Sequence, residues 1–317
     1  MDCKSSIDII SATNYEKKKS VNVVILGATG LIGHKLYQSL EQAGHNVAGF
    51  IHGKIDDFPN IDFLCNGDIV EQVNVLDFDT LAKNIRDRNA DVVLNCVGIT
   101  KRKPEVDEPL LAIGVNSLFP HRLVELARRQ EFRVIHFSTD CVFNGEIGDY
   151  TEGSITTGED AYGKTKALGE IRYPDSLTIR SSFIGRELAG KTELLEWLIA
   201  QNGKSIRGFT EAYYSGVSTI FMAKVVKNII EYHPNLSDLY QLATPEPISK
   251  YDLLCCARDA FDLDVEIVPD NGFKIKPTLS GEKLASVMKL SVPGWPAMMA
   301  ELAAEPLYKH LQTNREL

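Results

Sequence analysis

The chain has 317 residues, with 34 Lys and Arg against 43 Asp and Glu, and a formal net charge of -9. Hydrophobic residues make up 44% and charged residues 24%, a globular composition that excludes disordered and collagen-like chains. The acidic balance argues against nucleic acid as the main partner, since phosphate backbones need a dense basic surface, and no apolar run approaches the roughly 20 residues that span a bilayer.

Residues 1–20 read as a tail. Ile7-Asp8-Ile9-Ile10 is too short and carries a charge, unlike the apolar core of a signal peptide. The expectation is a cytoplasmic protein with no membrane contact. Val21–Leu26 is short, β-branched and apolar, and predicts a strand buried on both faces, as in a parallel sheet. Leu31, Leu36 and Leu40 then recur at helical spacing. His45–Ile51 predicts a second strand and Val73–Leu76 a short third one. Leu81–Arg88 predicts a helix and Asp91–Asn95 another buried strand. Leu110–Gln130 carries Leu118, Leu123, Leu126 and Ala127 on one helical face. Phe132–Phe137 follows as a strand, Tyr162–Arg172 as a helix and Ser176–Arg180 as a strand.

This alternation predicts an α/β fold, a doubly wound parallel sheet of Rossmann type with right-handed crossovers. The dinucleotide-binding domain is expected over 21–182, with parts of 215–245 returning to it. After Arg180 the alternation loosens. Helices are expected at Glu193–Gln201, Ile220–Tyr232, Lys250–Phe261 and Gly281–Lys289, and Pro293–Pro296 reads as a turn before a C-terminal helix. Residues 183–317 are therefore expected to form mainly a smaller α/β substrate lobe over the sheet edge. The six cysteines show no C-x-x-C pair or zinc-ligand spacing, so reduced structural thiols and no metal are expected.

Gly27-Ala-Thr-Gly30-Leu-Ile-Gly33 joins the first strand to the first helix. Its spacing suits a tight turn, close approach of backbone to a pyrophosphate, and a helix N-terminus that offers free N–H groups. Gly27, Thr29, Gly30, Leu31, Ile32 and Gly33 are the expected pyrophosphate contacts. An NAD-preferring site usually carries Asp or Glu at the end of the second strand. Here the segment ends in Ile51-His52-Gly-Lys54, which could face a 2′-phosphate, so NADPH is preferred over NADH. Asn74 and Val75, at the end of the third strand, are expected to meet the adenine.

Tyr162 and Lys166 share a helix face at i and i+4. A nearby ammonium lowers a phenol's pKa and brings it toward a working proton donor. Ser138-Thr139-Asp140, at the end of a predicted strand, offers a hydroxyl for a substrate carbonyl beside that phenol.

Taken in order, Gly27–Gly33, Asn95-Cys-Val-Gly98, Asn116, Ser138-Thr-Asp-Cys-Val-Phe143 and Tyr162-Gly-Lys-Thr-Lys166 resemble an extended short-chain dehydrogenase/reductase. Within that group the chain is most similar to the dTDP-4-dehydrorhamnose reductase family. The resemblance covers about residues 21 to 300 and is strong to about 185. It implies Thr139, Tyr162 and Lys166 as the catalytic set, with Tyr162 protonating a ketone oxygen, Lys166 holding the nicotinamide ribose and Thr139 polarising the carbonyl. Cys96, Val97 and Gly98 would line the cofactor. Thr100, Lys101, Asp140, Cys141 and Phe143 would meet the substrate. The basic triplet Lys101-Arg102-Lys103, on a loop leaving the functional edge of the sheet, reads either as a contact for the substrate's phosphates or as a solvated charged loop.

Two departures from that family stand out. Cys141 occupies a position where relatives often have Tyr, and Lys276-Pro277 is at most a degenerate form of an Arg-Pro segment in the small lobe. The expected activity is NADPH-dependent reduction of the keto group of a nucleotide-linked sugar, a 4-keto-6-deoxyhexose, in deoxysugar or polysaccharide synthesis. A homodimer is compatible with this. The rivals are an epimerase or dehydratase with bound NAD, and a non-catalytic dinucleotide-binding regulatory subunit.

Overall fold

The computed structural model describes residues 20–58, 61–102, 104–190 and 192–305. Of the expected tail only Ser20 falls within them, and Lys103 of the basic triplet lies outside.

The first half alternates strands and helices: β1 (Asn22–Leu26), α1 (Gly33–Gln42), β2 (Asn46–Phe50), α2 (Asp62–Asn66), β3 (Asp68–Val70), α3 (Phe78–Arg86), β4 (Val92–Asn95), α4 (Pro109–Ala112), α5 (Phe119–Gln130), β5 (Arg133–Ser138), α6 (Ala161–Leu168) and β6 (Ser176–Arg180). The second half contains β7 (Phe183–Ile184), α7 (Leu194–Ile199), β8 (Lys204–Tyr214), β9 (Val217–Ser218), α8 (Thr219–Tyr232), β10 (Asp238–Gln241), β11 (Ile248–Ser249), α9 (Lys250–Ala260), β12 (Val265–Ile275), α10 (Glu282–Met288) and α11 (Trp295–Ala304).

Seven strands form one parallel sheet in the order β10-β6-β5-β4-β1-β2-β3. Strand alternation in β1 sends Val23 and Ile25 to one core and Val24 and Leu26 to the other. Both faces are thus covered: α1 and α8 supply Leu36, Leu40, Phe221 and Val225 on one side, and α3 and α5 supply Leu81, Ile85, Leu123 and Val124 on the other. Burial on both faces explains why these strands read as unbroken apolar runs. The chain reverses its winding between β1 and β4, so a crevice opens beyond their carboxyl ends.

The smaller lobe is built on β8 and β12, two 11-residue strands paired in parallel, with β11 antiparallel at the other edge of β8. The short parallel pair β7–β9 aligns Phe183 with Val217 and Ile184 with Ser218. Strand β10 leaves this region to join the large sheet beside β6.

Three expectations are corrected. The third strand is Asp68–Val70, not Val73–Leu76. Gln72 adopts φ +55, which turns the chain so that Gln72 N–H bonds back to the Gly53 carbonyl at 3.1 Å and Val73 N–H to the Ile51 carbonyl at 2.8 Å. Apolar content alone did not reveal this turn. The helix expected over Leu110–Gln130 is interrupted by a π-helical stretch, Ile113–Leu118. Helix α6 ends at Leu168 rather than continuing to Arg172, because Gly169 passes close to the π stretch. A Cβ at Gly169 would stand 1.9 Å from the Asn116 carbonyl oxygen.

Candidate active site

The glycine turn follows directly from β1. Gly27 has φ +80, a conformation that glycine adopts without strain, and the Gly27 and Ala28 N–H groups donate to the Phe50 carbonyl at 2.9 and 3.1 Å. Gly30 N–H closes the turn onto the Gly27 oxygen at 3.0 Å. At Gly33 a Cβ would lie 2.1 Å from that oxygen, so the first turn of α1 sits flush on the loop only with glycine there. Among the described residues no side chain caps the start of α1. His34 N–H in its first turn donates to the Gly30 carbonyl at 3.2 Å, and a helix start with no side chain laid across it fits a dinucleotide pyrophosphate.

Thr29, Gly30, Leu31 and Ile32 face a cleft of about 1020 Å³ between the lobes. Ligand pockets commonly measure roughly 300 to 1,000 Å³, so this one has room for a large ligand or two adjacent ones. Gly27 and Gly33 lie behind the turn and shape it instead of lining the cleft. Cys96, Val97, Gly98, Thr100 and Lys101 form one wall. The loop carrying them is clamped by Asn116, whose side chain accepts from Ile99 N–H at 2.8 Å and donates to the Ile99 carbonyl at 2.9 Å.

Thr139, Asp140, Cys141 and Phe143 form the floor beyond β5. The Thr139 hydroxyl accepts from Cys141 N–H and donates to Asp140 Oδ1, both at 3.1 Å. Phe143 stacks on Tyr150 with ring centroids 4.0 Å apart, which fixes its edge of the cleft. The Lys101 ammonium reaches Cys141 Sγ at 3.5 Å. Burial pushes the Cys141 thiol up to about 11, so it is protonated and a poor nucleophile.

Helix α6 supplies Tyr162 and Lys166, both on the cleft. Its start is fixed by Asp160, whose carboxylate accepts from Gly163 N–H at 2.6 Å. Asp160 is thus the exposed N-cap of α6. Burial pushes the Tyr162 phenol well above its usual range, with Cys141 and Asp140 adding to this and the Thr139 side chain opposing it. The expected lowering of the phenol by Lys166 is therefore overturned. Lys166 instead donates to the Phe137 carbonyl at 2.7 Å, and its Nζ lies 3.3 Å from His136 Nε2. Burial brings Lys166 down to about 8.

Besides Gly27 and Gly33, three further expected cofactor contacts lie off the cleft walls. His52 is exposed, with its ring nitrogen 3.3 Å from the Val73 carbonyl. Asn74 spends its side chain on Leu76 N–H at 3.0 Å, and Val75 is buried in the core beneath α3. Neither residue ends a strand, because the third strand stops at Val70.

Sequence reasoning missed the wall contributed by the small lobe: Glu187, Tyr213, Tyr214, Lys250 and Phe273. These come from separate elements and share no local pattern. It also missed His136, which no spacing rule pairs with Lys166. Among the described residues no group of His, Cys, Asp or Glu is arranged to hold a metal ion, and no helix is long and apolar enough to cross a membrane.

Residues 21–289 match the family model described as the RmlD substrate binding domain. Among curated proteins, the chain is similar to the probable low-salt glycan biosynthesis reductase of Haloferax volcanii, 32% identical over 165 residues, or 50% of this chain. That match spans about half (52%) of the Haloferax protein. A longer match runs to methionine adenosyltransferase 2 subunit beta of Rattus norvegicus, 26% identical over 77% of this chain and 73% of that one. Among solved structures, dTDP-4-dehydrorhamnose reductase of Bacillus anthracis in complex with NADP superposes with a TM-score of 0.74. It covers 89% of this chain and 98% of that one at 16% identity.

Proposed function

Since the chain belongs to the RmlD substrate-binding-domain family, within the dTDP-4-dehydrorhamnose reductase group, we propose that it reduces the keto group of a nucleotide-linked sugar using NADPH. The preferred substrate is a 4-keto-6-deoxyhexose, in cytoplasmic synthesis of a deoxysugar or polysaccharide. The observation that carries this reading is the convergence of Thr139, Tyr162 and Lys166 on one cleft with the open glycine turn at its other end. NADP in the Bacillus anthracis structure and the reductase name of the Haloferax protein support it.

A nicotinamide dinucleotide bound along the turn would supply the hydride. Thr29–Ile32 of the glycine turn, shaped by Gly27 and Gly33, would hold its pyrophosphate at the start of α1, and Cys96–Gly98 would flank it toward the sheet. The Tyr162 phenol, kept protonated by burial, donates its proton to the ketone oxygen as negative charge develops there. The Thr139 hydroxyl rotates from Asp140 to the same oxygen and strengthens its contact as that charge grows. Lys166 holds the ribose side of the cleft from its anchor on Phe137. Lys101 and Arg102 face the substrate's phosphates. The chemistry needs alignment and a proton donor, with no protein metal and no covalent intermediate.

One alternative has a specific observation behind it. The match to a protein named as a subunit of another enzyme covers more of the chain than the match to the Haloferax reductase. A purely regulatory chain has no need of the phenol, whereas a reductase depends on it. Incubating purified protein with NADPH and a panel of 4-keto nucleotide sugars, with product stereochemistry read by NMR, decides between them. Turnover supports the reductase, and dinucleotide binding without turnover on any of them supports the subunit.

A further inference from the structure

A buried line of polar side chains runs behind the cleft, and the proposed chemistry leaves its middle member unused. Asn95 Oδ1 accepts from Val97 N–H at 3.2 Å. That turns the amide nitrogen toward His136 Nδ1, 3.1 Å away. A ring nitrogen that accepts carries no proton, so the single proton of neutral imidazole sits on Nε2. Nε2 faces Lys166 Nζ at 3.3 Å.

An ammonium group only donates, so a charged Lys166 would set one N–H against another. An uncharged amine has a lone pair for Nε2–H and still donates to the Phe137 oxygen. Asn95, His136 and Lys166 are 1%, 0% and 4% exposed, so water does not relieve the mismatch.

We infer that His136 is a positioning residue for Lys166: the tautomer imposed by Asn95 favours the uncharged amine, and protonating Lys166 requires the imidazole to move its proton to Nδ1. Lys166 thereby carries a two-state partner behind it.

The surrounding charges leave this arrangement in control. Glu170, two residues past the end of α6, and the Cys96 thiol beyond β4 both act to raise Lys166, and burial outweighs them. Glu170 is committed to Arg180, with bonds of 2.6 and 2.8 Å. His136 is held well below the usual imidazole range by burial, helped by Lys166 and by His121 on α5. The Asn95 main-chain carbonyl opposes this. The ring is therefore neutral, and the tautomer turns only on which nitrogen bears its proton.

This pairing involves the chain's own residues, and only its consequence for the pH dependence of turnover rests on the proposed reductase reading. Long-range proton–nitrogen NMR on histidine-labelled protein, with His136 assigned through its backbone, reads the tautomer directly. At a pH about one unit above the Lys166 midpoint, the expected state is Nε2 protonated and Nδ1 bare. In Asn95→Asp the carboxylate accepts from Nδ1–H and the tautomer inverts. A carbon-labelled lysine titration should place Lys166 at or below about 8 in the native chain. In Asn95→Asp and His136→Gln the midpoint should rise by about one pH unit or more.

A native ring protonated on Nδ1, bonded to the Asn95 main-chain carbonyl, overturns the inference, as does a Lys166 midpoint unmoved in both variants. The native tautomer is measured without any substitution, so it decides the matter even if a variant fails to fold. A chain that shows the Nε2 tautomer but consumes no NADPH would overturn the reductase reading and leave this one intact.

Discussion

Lys166 donates from Nζ to the main-chain oxygen of Phe137 over 2.7 Å, which ties helix α6 to the end of strand β5 at the cleft. The group is buried and titrates near 8, below its ordinary value, so the cation is present at lower pH and lost as pH rises through that value. The Tyr162 phenol, raised by burial, stays protonated throughout this range. As an ammonium Lys166 carries three N–H donors, enough for the Phe137 oxygen and a bound ribose together, and above that pH it loses one of them with its charge. The pH profile of kcat/KM for reduction should therefore fall as pH rises through about 8. A profile that stays flat across that region would contradict the assignment of Lys166.

Gly30 and Gly33 should separate binding from folding. A Cβ at Gly30 lies 3.2 Å from the Gly27 oxygen, a contact that small adjustments relieve, but it enters the space assigned to the pyrophosphate. Gly30→Val should weaken NADPH binding about tenfold or more, or about 1.4 kcal/mol, with little change in Tm. At Gly33 the corresponding distance is 2.1 Å to main chain. Gly33→Val should lower Tm by several degrees through overpacking of about 1–3 kcal/mol. Calorimetry for binding and thermal denaturation for stability distinguish the two.

The end of β2 should decide the nucleotide. His52 and Lys54 are exposed there, next to the Phe50 carbonyl that anchors the glycine turn. Replacing both with Ala should erode the preference for NADPH over NADH, read as the ratio of the two Kd values. An unchanged ratio would make both residues bystanders.

Arg180 should matter for stability and not for chemistry. Its guanidinium is 2% exposed, bonds both Glu170 oxygens and Gln241 Oε1, and lies 4.9 Å from the Phe143 ring centre. Arg180→Ala leaves Glu170 buried with its main partner gone, a loss of about 3–5 kcal/mol. Denaturant unfolding measures it, and a change within ~1 kcal/mol would show that the network contributes little.

The large sheet was legible because its strands are buried on both faces. Ser176–Arg180 matches its expected bounds, and β1, β2, β4 and β5 lie within a residue or two of theirs. The third strand was not, since Asp68–Val70 is short and half-exposed while Val73 and Val75 are more apolar yet follow the turn at Gln72. Motif order brought Thr139, Tyr162 and Lys166 to one place. The partners of those residues were hidden, because His136 meets Lys166 from a strand 30 residues away and Tyr214 and Lys250 arrive from another lobe. Local spacing reports which face of an element a residue occupies, and tertiary packing decides what that face meets.

The most direct measurement is NADPH consumption with a 4-keto nucleotide sugar by the native chain and by Tyr162→Phe, with NADPH affinity determined for both. The account predicts turnover in the native chain, a loss of about 10²- to 10⁴-fold in kcat without the phenol, and equal NADPH affinity in the two proteins. Undiminished turnover in Tyr162→Phe would contradict it.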